Sequence, residues 1–153
     1  MQIIRSAARA LIIRDRSILF VEMKNAQGVF FLLPGGGQLH GETLSETVKR
    51  ECAEELGVQV SVGSLFFTRE YIGENHSFDP RHIHFHQIEH VFFCDLVCDQ
   101  SLGEGHSLDK KQVGYKWIAI DALKDHRILP SRLKKLLQSE PLALENPYLG
   151  DVN

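Results

Sequence analysis

The sequence predicts an α/β protein, a mixed β-sheet with a few helices packed on it. Two observations carry this reading. Runs of β-branched and aromatic residues clearly outnumber helical stretches, and the one strongly helical segment, residues 44–56, is bracketed by capping residues at both ends. Breaks containing Gly, Pro and polar residues separate the runs at short intervals.

In chain order, Ile3–Ile13 and Ile18–Met23 are apolar runs separated by Arg14-Asp15-Arg16-Ser17, which predicts a hairpin. Asn25–Gly28 reads as a turn before a short buried strand, Val29–Leu33. Pro34-Gly35-Gly36-Gly37 stops that strand and reads as a loop. Leu44–Leu56 is the helix, with Thr43 and Glu46 as a capping box and Gly57 at its C-terminal end. Val58–Ile72 returns to strand character, interrupted at Gly63-Ser64. Gly73–Pro80 reads as a polar loop, Ile83–Val97 as a long strand, Asp99–Gln112 as a second polar loop and Tyr115–Ile120 as a strand. Asp121 is placed to cap a helical turn, Ser131 to cap a last helix over Arg132–Gln138, and the tail from Pro141 reads as irregular.

Length and composition bound the function. A chain of 153 residues has the usual size of one domain, and no repeat or linker divides residues 1–153. With 43% hydrophobic and 24% charged residues, wholesale disorder is excluded. A net charge of −3 argues against a protein that coats duplex nucleic acid or an anionic membrane. Cys52, Cys94 and Cys98 fit no zinc spacing and cannot all pair within one chain, so reduced thiols in the cytoplasm are expected. Arg5, Arg9, Arg14 and Arg16 interrupt the apolar N-terminus, which is therefore read as neither a signal segment nor a membrane span.

The chemistry concentrates in residues 36–58. On a helical wheel with Leu44 at zero, Val48, Cys52 and Leu56 fall at about 40°, 80° and 120°, an apolar stripe. Glu55 falls inside that stripe at about 20° and Glu51 at its border near 340°, with Glu54 at about 280°. Three carboxylates at i, i+3 and i+4 repel one another, and burying one costs more still. Arg50 neutralises only part of this cluster, and a hard divalent cation such as Mg²⁺ would neutralise the rest. The glycines ahead of the helix allow close approach of backbone to an anion. Together they suggest a metal-assisted site for a phosphate-containing substrate.

Gly36, Glu42, Arg50-Glu51-Cys52-Ala53-Glu54-Glu55-Leu56-Gly57-Val58 resembles the signature of the Nudix hydrolase family, G-x5-E-x7-R-E-U-x-E-E-x-G-U, with every fixed Gly, Glu and Arg filled. Cys52 departs from the aliphatic residue usual there but packs as a small hydrophobe. The resemblance implies an α/β/α sandwich, with Trp117 in a later strand, and hydrolysis of a nucleoside diphosphate linked to another moiety. It also implies that Glu51, Glu54 and Glu55 hold Mg²⁺ or Mn²⁺, with the Gly36 carbonyl as a further ligand. Arg50 would then orient the cluster, and Glu42 would support it. Members of the family differ in the general base: Glu54 is the leading candidate, with Glu104 and Asp109 as loop alternatives.

His82, His84, His86 and His90 share one parity and would lie on one face of a continuous strand, most simply as a polar face without a ligand, although one or two could reach the substrate. Phe30, Phe31, Phe66, Phe67, Tyr71, Phe85, Phe92 and Phe93 sit in strand runs and read as core. Lys110-Lys111 reads as solvated loop charge. Family members that favour ADP-ribose often carry a proline a short way beyond the motif; here Gly73-Glu74-Asn75-His76 stands there and the next proline is Pro80, which weakens that substrate. Specificity is expected from the loops or from a partner subunit in a homodimer. A nucleotide-sensing module without catalysis is the alternative, and the intact motif ranks it second.

Overall fold

The computed structural model of the chain describes residues 1–98, 112–139 and 144–153. Its elements run β1 (Ile4–Arg14), β2 (Ser17–Asn25), β3 (Gly28–Leu32), β4 (Gly35–Gly37), α1 (Leu44–Leu56), β5 (Val60–Ile72), β6 (His86–Leu96), β7 (Gln112–Ala119), α2 (Arg132–Gln138) and β8 (Tyr148–Asp151). Short 3₁₀ turns occupy Gly73–Asn75, Pro80–His82 and Ile120–Asp125.

The predicted hairpin forms: Arg14 pairs with Ser17 and Ile13 with Ile18. Asp15 and Arg16 both take left-handed backbone (φ 50° and 57°), as a two-residue turn between twisted strands requires. Beyond that turn the two strands separate. β2 runs antiparallel between β3 and β7, while β1 runs parallel to β6 and antiparallel to β4. β6 pairs antiparallel with β5, and β5 carries β8 on its other edge. The sheet is therefore mixed, as expected.

Alternation along β1 and β2 divides the core between two faces. Leu11, Ile18 and Phe20 pack with Phe31, Phe67, Val91 and the α2 residues Leu133, Leu136 and Leu137. Ala8, Ala10, Ile12, Leu19 and Val21 pack instead with Val48, Cys52 and Leu56 of α1. A helix on each face of one sheet is the expected α/β/α sandwich. Among the described residues no helix is long and apolar enough to cross a membrane.

The helix α1 has the predicted ends. The Thr43 hydroxyl accepts from the Glu46 N–H at 3.2 Å, and the Glu46 carboxylate accepts from the Thr43 N–H at 2.7 Å. Gly57 closes the other end in left-handed conformation (φ 66°), its N–H donating to the Ala53 carbonyl. The register shift in β5 between Val62 and Leu65 falls where Gly63-Ser64 interrupts the pattern.

Several expectations change. The glycines read as a loop form β4, a strand paired with Ala7–Arg9. β6 begins at His86 rather than Ile83, because Pro80 opens a 3₁₀ turn that the Asp79 carboxylate caps. Asp121 lies within the turn at Ile120–Asp125, whose N-terminus has no side-chain cap. Ser131 does precede α2, but its hydroxyl donates to the Asn153 carbonyl rather than capping the helix. The tail read as irregular contributes β8, its pairing supplied by β5 rather than by local pattern. β7 begins at Gln112; the rest of the predicted 99–112 loop, with Glu104, Asp109, Lys110 and Lys111, lies outside the described residues.

Replacing the cap in Thr43→Ala should lower stability by about 1 kcal/mol. Urea unfolding checks this, with the midpoint expected to fall at unchanged slope.

Candidate active site

The site lies where α1 faces β4 and β1. Gly36 brings backbone against the helix: a Cβ there would sit 2.6 Å from Glu51 Cδ, so only glycine leaves room for that carboxylate. The Glu55 carboxylate, buried as the wheel predicts, accepts from the Gly35 N–H at 3.0 Å. Arg5, Arg9, Gly35–Gly37, Glu51 and Glu55 line a cavity of about 280 Å³.

Arg50 organises the outer side of the cluster. Its Nη1 donates to Glu51 Oε1 at 2.8 Å and Glu54 Oε2 at 3.2 Å. Its Nη2 reaches the Gly37 carbonyl at 2.9 Å and Glu42 Oε2 at 3.1 Å. Glu42 also accepts from the Leu39 N–H and the Thr47 hydroxyl, so it ties the 38–43 segment to the helix. The Arg50 guanidinium, helped by these hydrogen bonds, holds the Glu42 carboxyl down at about 2. One arginine thus links the glycine strand, the connecting loop and two acids of the helix.

The three helix carboxylates divide between the cavity and Arg50. Glu51 and Glu55 face the cavity, whereas Glu54 is absent from its lining and pairs with Arg50 on the half-exposed side of the helix. On the wheel Glu54 lies on the side of Glu51 away from Glu55, where Arg50 reaches both Glu51 and Glu54. Among the described residues no three His, Cys, Asp or Glu side chains form a ready metal cage. Two carboxylates beside an anion-sized cavity nevertheless suit a hard cation such as Mg²⁺, which binds through one or two carboxylates and completes its shell with water and substrate phosphates.

Glu55 supports that fit. Burial pushes its carboxyl up to about 8, despite the opposing pull of Arg9 and the Gly35 N–H, with Glu51 adding to the rise. A protonated buried acid beside a second carboxylate is what a cation would convert into a pair of ligands.

The sequence did not single out the layer beneath this cavity. Arg9 Nε donates to Glu89 Oε2 at 2.6 Å, and Arg69 Nε donates to Glu89 Oε1 at 2.9 Å. Burial alone would raise the Glu89 carboxyl, but Arg69 and Arg9 outweigh it and hold it near 2. Arg9 also donates through Nη1 to the carbonyls of Leu33 and Gly35, at 2.8 and 3.3 Å, fixing the chain entering β4. The sequence signal was a charge inside each of three apolar strand runs.

The histidines separate. His82 and His84 precede β6, so only His86 and His90 share its face. His86 meets Glu70 at 2.9 Å and His90 meets the Thr68 hydroxyl at 3.0 Å. These partners support the reading of a polar face without a ligand. The cysteines also match the sequence reading: all three are free thiols, and burial pushes Cys94 up to about 12 and Cys52 upward as well. Phe30, Phe31, Phe66, Phe67 and Tyr71 are buried as predicted, but Phe85, Phe92 and Phe93 only partly.

Comparison with known proteins gives one assignment. The model of the NUDIX domain matches residues 4–138. No curated protein matches the sequence. Among solved structures, a NUDIX hydrolase from Nitrosomonas europaea is similar at TM-score 0.71 and 15% identity, covering 99% of this chain and 81% of that one. A MutT NUDIX hydrolase from Burkholderia pseudomallei gives 0.66 and 23% over 88% and 98% of the two chains. An ADP-ribose pyrophosphatase from Streptococcus suis gives 0.61 and 20% over 94% and 98%. At these identities the structures share the fold.

Two measurements test the site. Glu89→Gln leaves two buried guanidinium groups without their anion and should cost about 3 kcal/mol or more, read by urea unfolding. For Glu55, between 4.5 and about 8 the unfolded chain gives up a proton that the folded chain keeps. Metal-free stability should therefore fall as pH rises through that window, and Glu55→Gln should flatten the slope; an equal slope in both proteins would reject a protonated Glu55.

Proposed function

The chain belongs to the Nudix hydrolase family and is a pyrophosphohydrolase, and from that premise we propose that it hydrolyses a nucleoside diphosphate linked to another moiety in a reaction requiring Mg²⁺ or Mn²⁺. The observation that carries this reading is the pairing of Glu51 and Glu55 across one cavity with Arg5, Arg9 and the glycine strand. A diphosphate needs positive charge on its oxygens, and the arginines supply part of it from β1.

Glu51 and Glu55 would hold the metal, with the Gly36 carbonyl as a further oxygen and Glu54 as the third acid that the family resemblance implies. When bound, the metal supplies charge neutralisation at the phosphate oxygens and a lowered pKa for coordinated water. Arg50 keeps Glu51 and Glu54 in place by donating to both from one nitrogen. Glu54 is proposed as the general base: Arg50 holds its Oε2, while its side chain remains accessible to water. Arg9, fixed by Glu89, and Arg5, beside Gly37, would draw the diphosphate toward β4. Nothing in the geometry favours the non-catalytic alternative, since the acids and their organising arginine are all present.

A panel of nucleoside diphosphate derivatives with Mg²⁺ or Mn²⁺ should release a mononucleotide, and chelation should abolish this. Glu54→Gln should lower kcat by about 10²–10⁴-fold with KM little changed. Absence of turnover across the panel, together with no effect of Glu54→Gln, would overturn the enzyme reading.

A further inference from the structure

The matched domain ends at residue 138, and β8 lies beyond it, laid parallel on the outer edge of β5. Its ladder is short and irregular. Thr68 pairs with Tyr148 and Glu70 with Asp151, with a shift of register between them, and Gly150 bends the chain in left-handed conformation (φ 73°). Side chains therefore carry much of the attachment. The Asp151 carboxylate accepts from the Ile72 N–H at 2.9 Å and from Asn75 Nδ2 at 2.7 Å, and its Oδ1 meets His76 Nε2 at 2.7 Å. One acid so ties β8 to the end of β5 and to the turn that follows. The Tyr148 hydroxyl donates to Glu70 Oε1 at 2.6 Å, and His86 of β6 meets the other oxygen of that carboxylate. Leu149 packs against the core.

Past β8 the segment reaches the buried charge network. The Val152 N–H donates to the Glu70 carbonyl at 3.2 Å, and the Val152 carbonyl accepts from Arg69 Nη1 at 2.6 Å. The Asn153 carbonyl accepts from the Ser131 hydroxyl, just ahead of α2. Asn153 also lines, with Arg69 and Glu89, a second cavity of about 240 Å³ that shares Arg5 and Arg9 with the first. Arg69 is only 7% exposed, and its Nε is given to Glu89. Without the Val152 carbonyl, a buried cationic donor loses its acceptor, a cost that only water or a displaced side chain offsets. Water beside Arg69 raises the local dielectric and weakens its hold on Glu89, the anion that fixes Arg9.

We infer that residues 147–153 form a strap that positions Arg9 for the substrate diphosphate, with Asp151 as the residue that fastens it. The path is contiguous. The Val152 carbonyl holds Arg69, Arg69 holds Glu89, and Glu89 holds Arg9, whose Nη1 donates to the Leu33 and Gly35 carbonyls that place β4. Asp151 touches none of the reacting groups, so it is a positioning residue. Arg50 and its acids are tied on the other side of the glycines, through bonds the strap does not share. Loosening the strap therefore weakens substrate binding and leaves the chemical step nearly intact. The inference rests on the proposed function for the position of the diphosphate, whereas the coupling of the strap to β4 stands apart from it.

Hydrogen exchange of the metal-free protein tests that coupling without substrate. Asp151→Ala should speed exchange over residues 147–153 and over residues 33–38 by about threefold or more, with β2 unchanged as the check on the rest of the fold. Val152→Pro, which deletes the N–H given to Glu70, should do the same by a second route. Asp151→Asn should restore wild-type exchange, because its Oδ1 still accepts from Ile72 and its amide donates to Asn75 once Asn75 turns its own amide over. With substrate and Mg²⁺, Asp151→Ala should raise KM by about three- to tenfold at nearly unchanged kcat, and Asp151→Asn should return KM to the wild-type value. The inference is overturned if exchange over residues 33–38 is unchanged in both releasing variants. It is equally overturned if β2 loses protection to the same extent, if Asp151→Asn restores nothing, or if Asp151→Ala lowers kcat rather than raising KM. Absence of turnover in the wild-type protein would sink the hydrolase reading alone, since the exchange measurement requires no substrate.

Discussion

The interaction on which the rest depends is the buried carboxylate of Glu89 held between two guanidinium groups. Arg9 comes from β1 and Arg69 from β5, so one anion fixes the strands on either side of β6. Neither arginine would be tolerated there alone, and the carboxylate would not be tolerated without them. The same Arg9 reaches the carbonyls of Leu33 and Gly35, so the position of the glycine strand is set from inside the sheet. Gly36 in turn determines where Glu51 can stand, and Arg50 ties Glu51 to Glu54 and Glu42. The acidic helix is thus referenced to the sheet by two arginine networks, one on each side of the glycines.

One face of the β5–β6 pair carries part of the hydrophobic core and part of a cavity wall. Along β5 and β6 the register runs Phe67 opposite Val91, Arg69 opposite Glu89, and Tyr71 opposite Gln87. Over three successive pairs the face changes from dry core to a buried ion pair to the wall of a pocket. This gradient spares the site a separate scaffold, because the core that stabilises the domain also makes the pocket wall rigid. It also explains why Phe30 and Tyr71 are at once buried and exposed to a cavity: they lie at the border.

What could be read in the sequence was local in origin. The helix over 44–56, its capping box and its Gly57 terminus depend on residues within a few positions of one another, and all three appear as expected. The burial of Glu55 followed from angular period alone. The unread features depend on distant partners. Gly35–Gly37 became a strand because β1 offered a free edge, and Tyr148–Asp151 became one because β5 did. Ser131 had the chemistry of a cap, but the Asn153 carbonyl came within reach and accepts its hydrogen bond instead. Glu54 left the cavity wall for Arg50, a choice that spacing alone could not decide. The ring of Phe78 and the amide of Gln87 gave no signal at all, since only the tertiary fold brings them into one lining with Arg5 and Arg9 of β1.

The parallel pairing of β1 with β6 joins Arg9 to a partner 80 residues further along the chain. Closing a loop of that length costs more entropy than packing α1 on the nearby strands β1 and β4, so the Arg9–Glu89 contact is the expensive one to form. As the chain emerges from the ribosome, the complete acidic motif is present well before residue 89 is made. Glu55 already has Gly35 and the strands β1 and β4 beside it in the first half of the chain, whereas the anion that holds Arg9 arrives only with residue 89. A chain truncated before β6 would hold every residue of the signature without the anion that fixes Arg9 and, through it, the glycine strand.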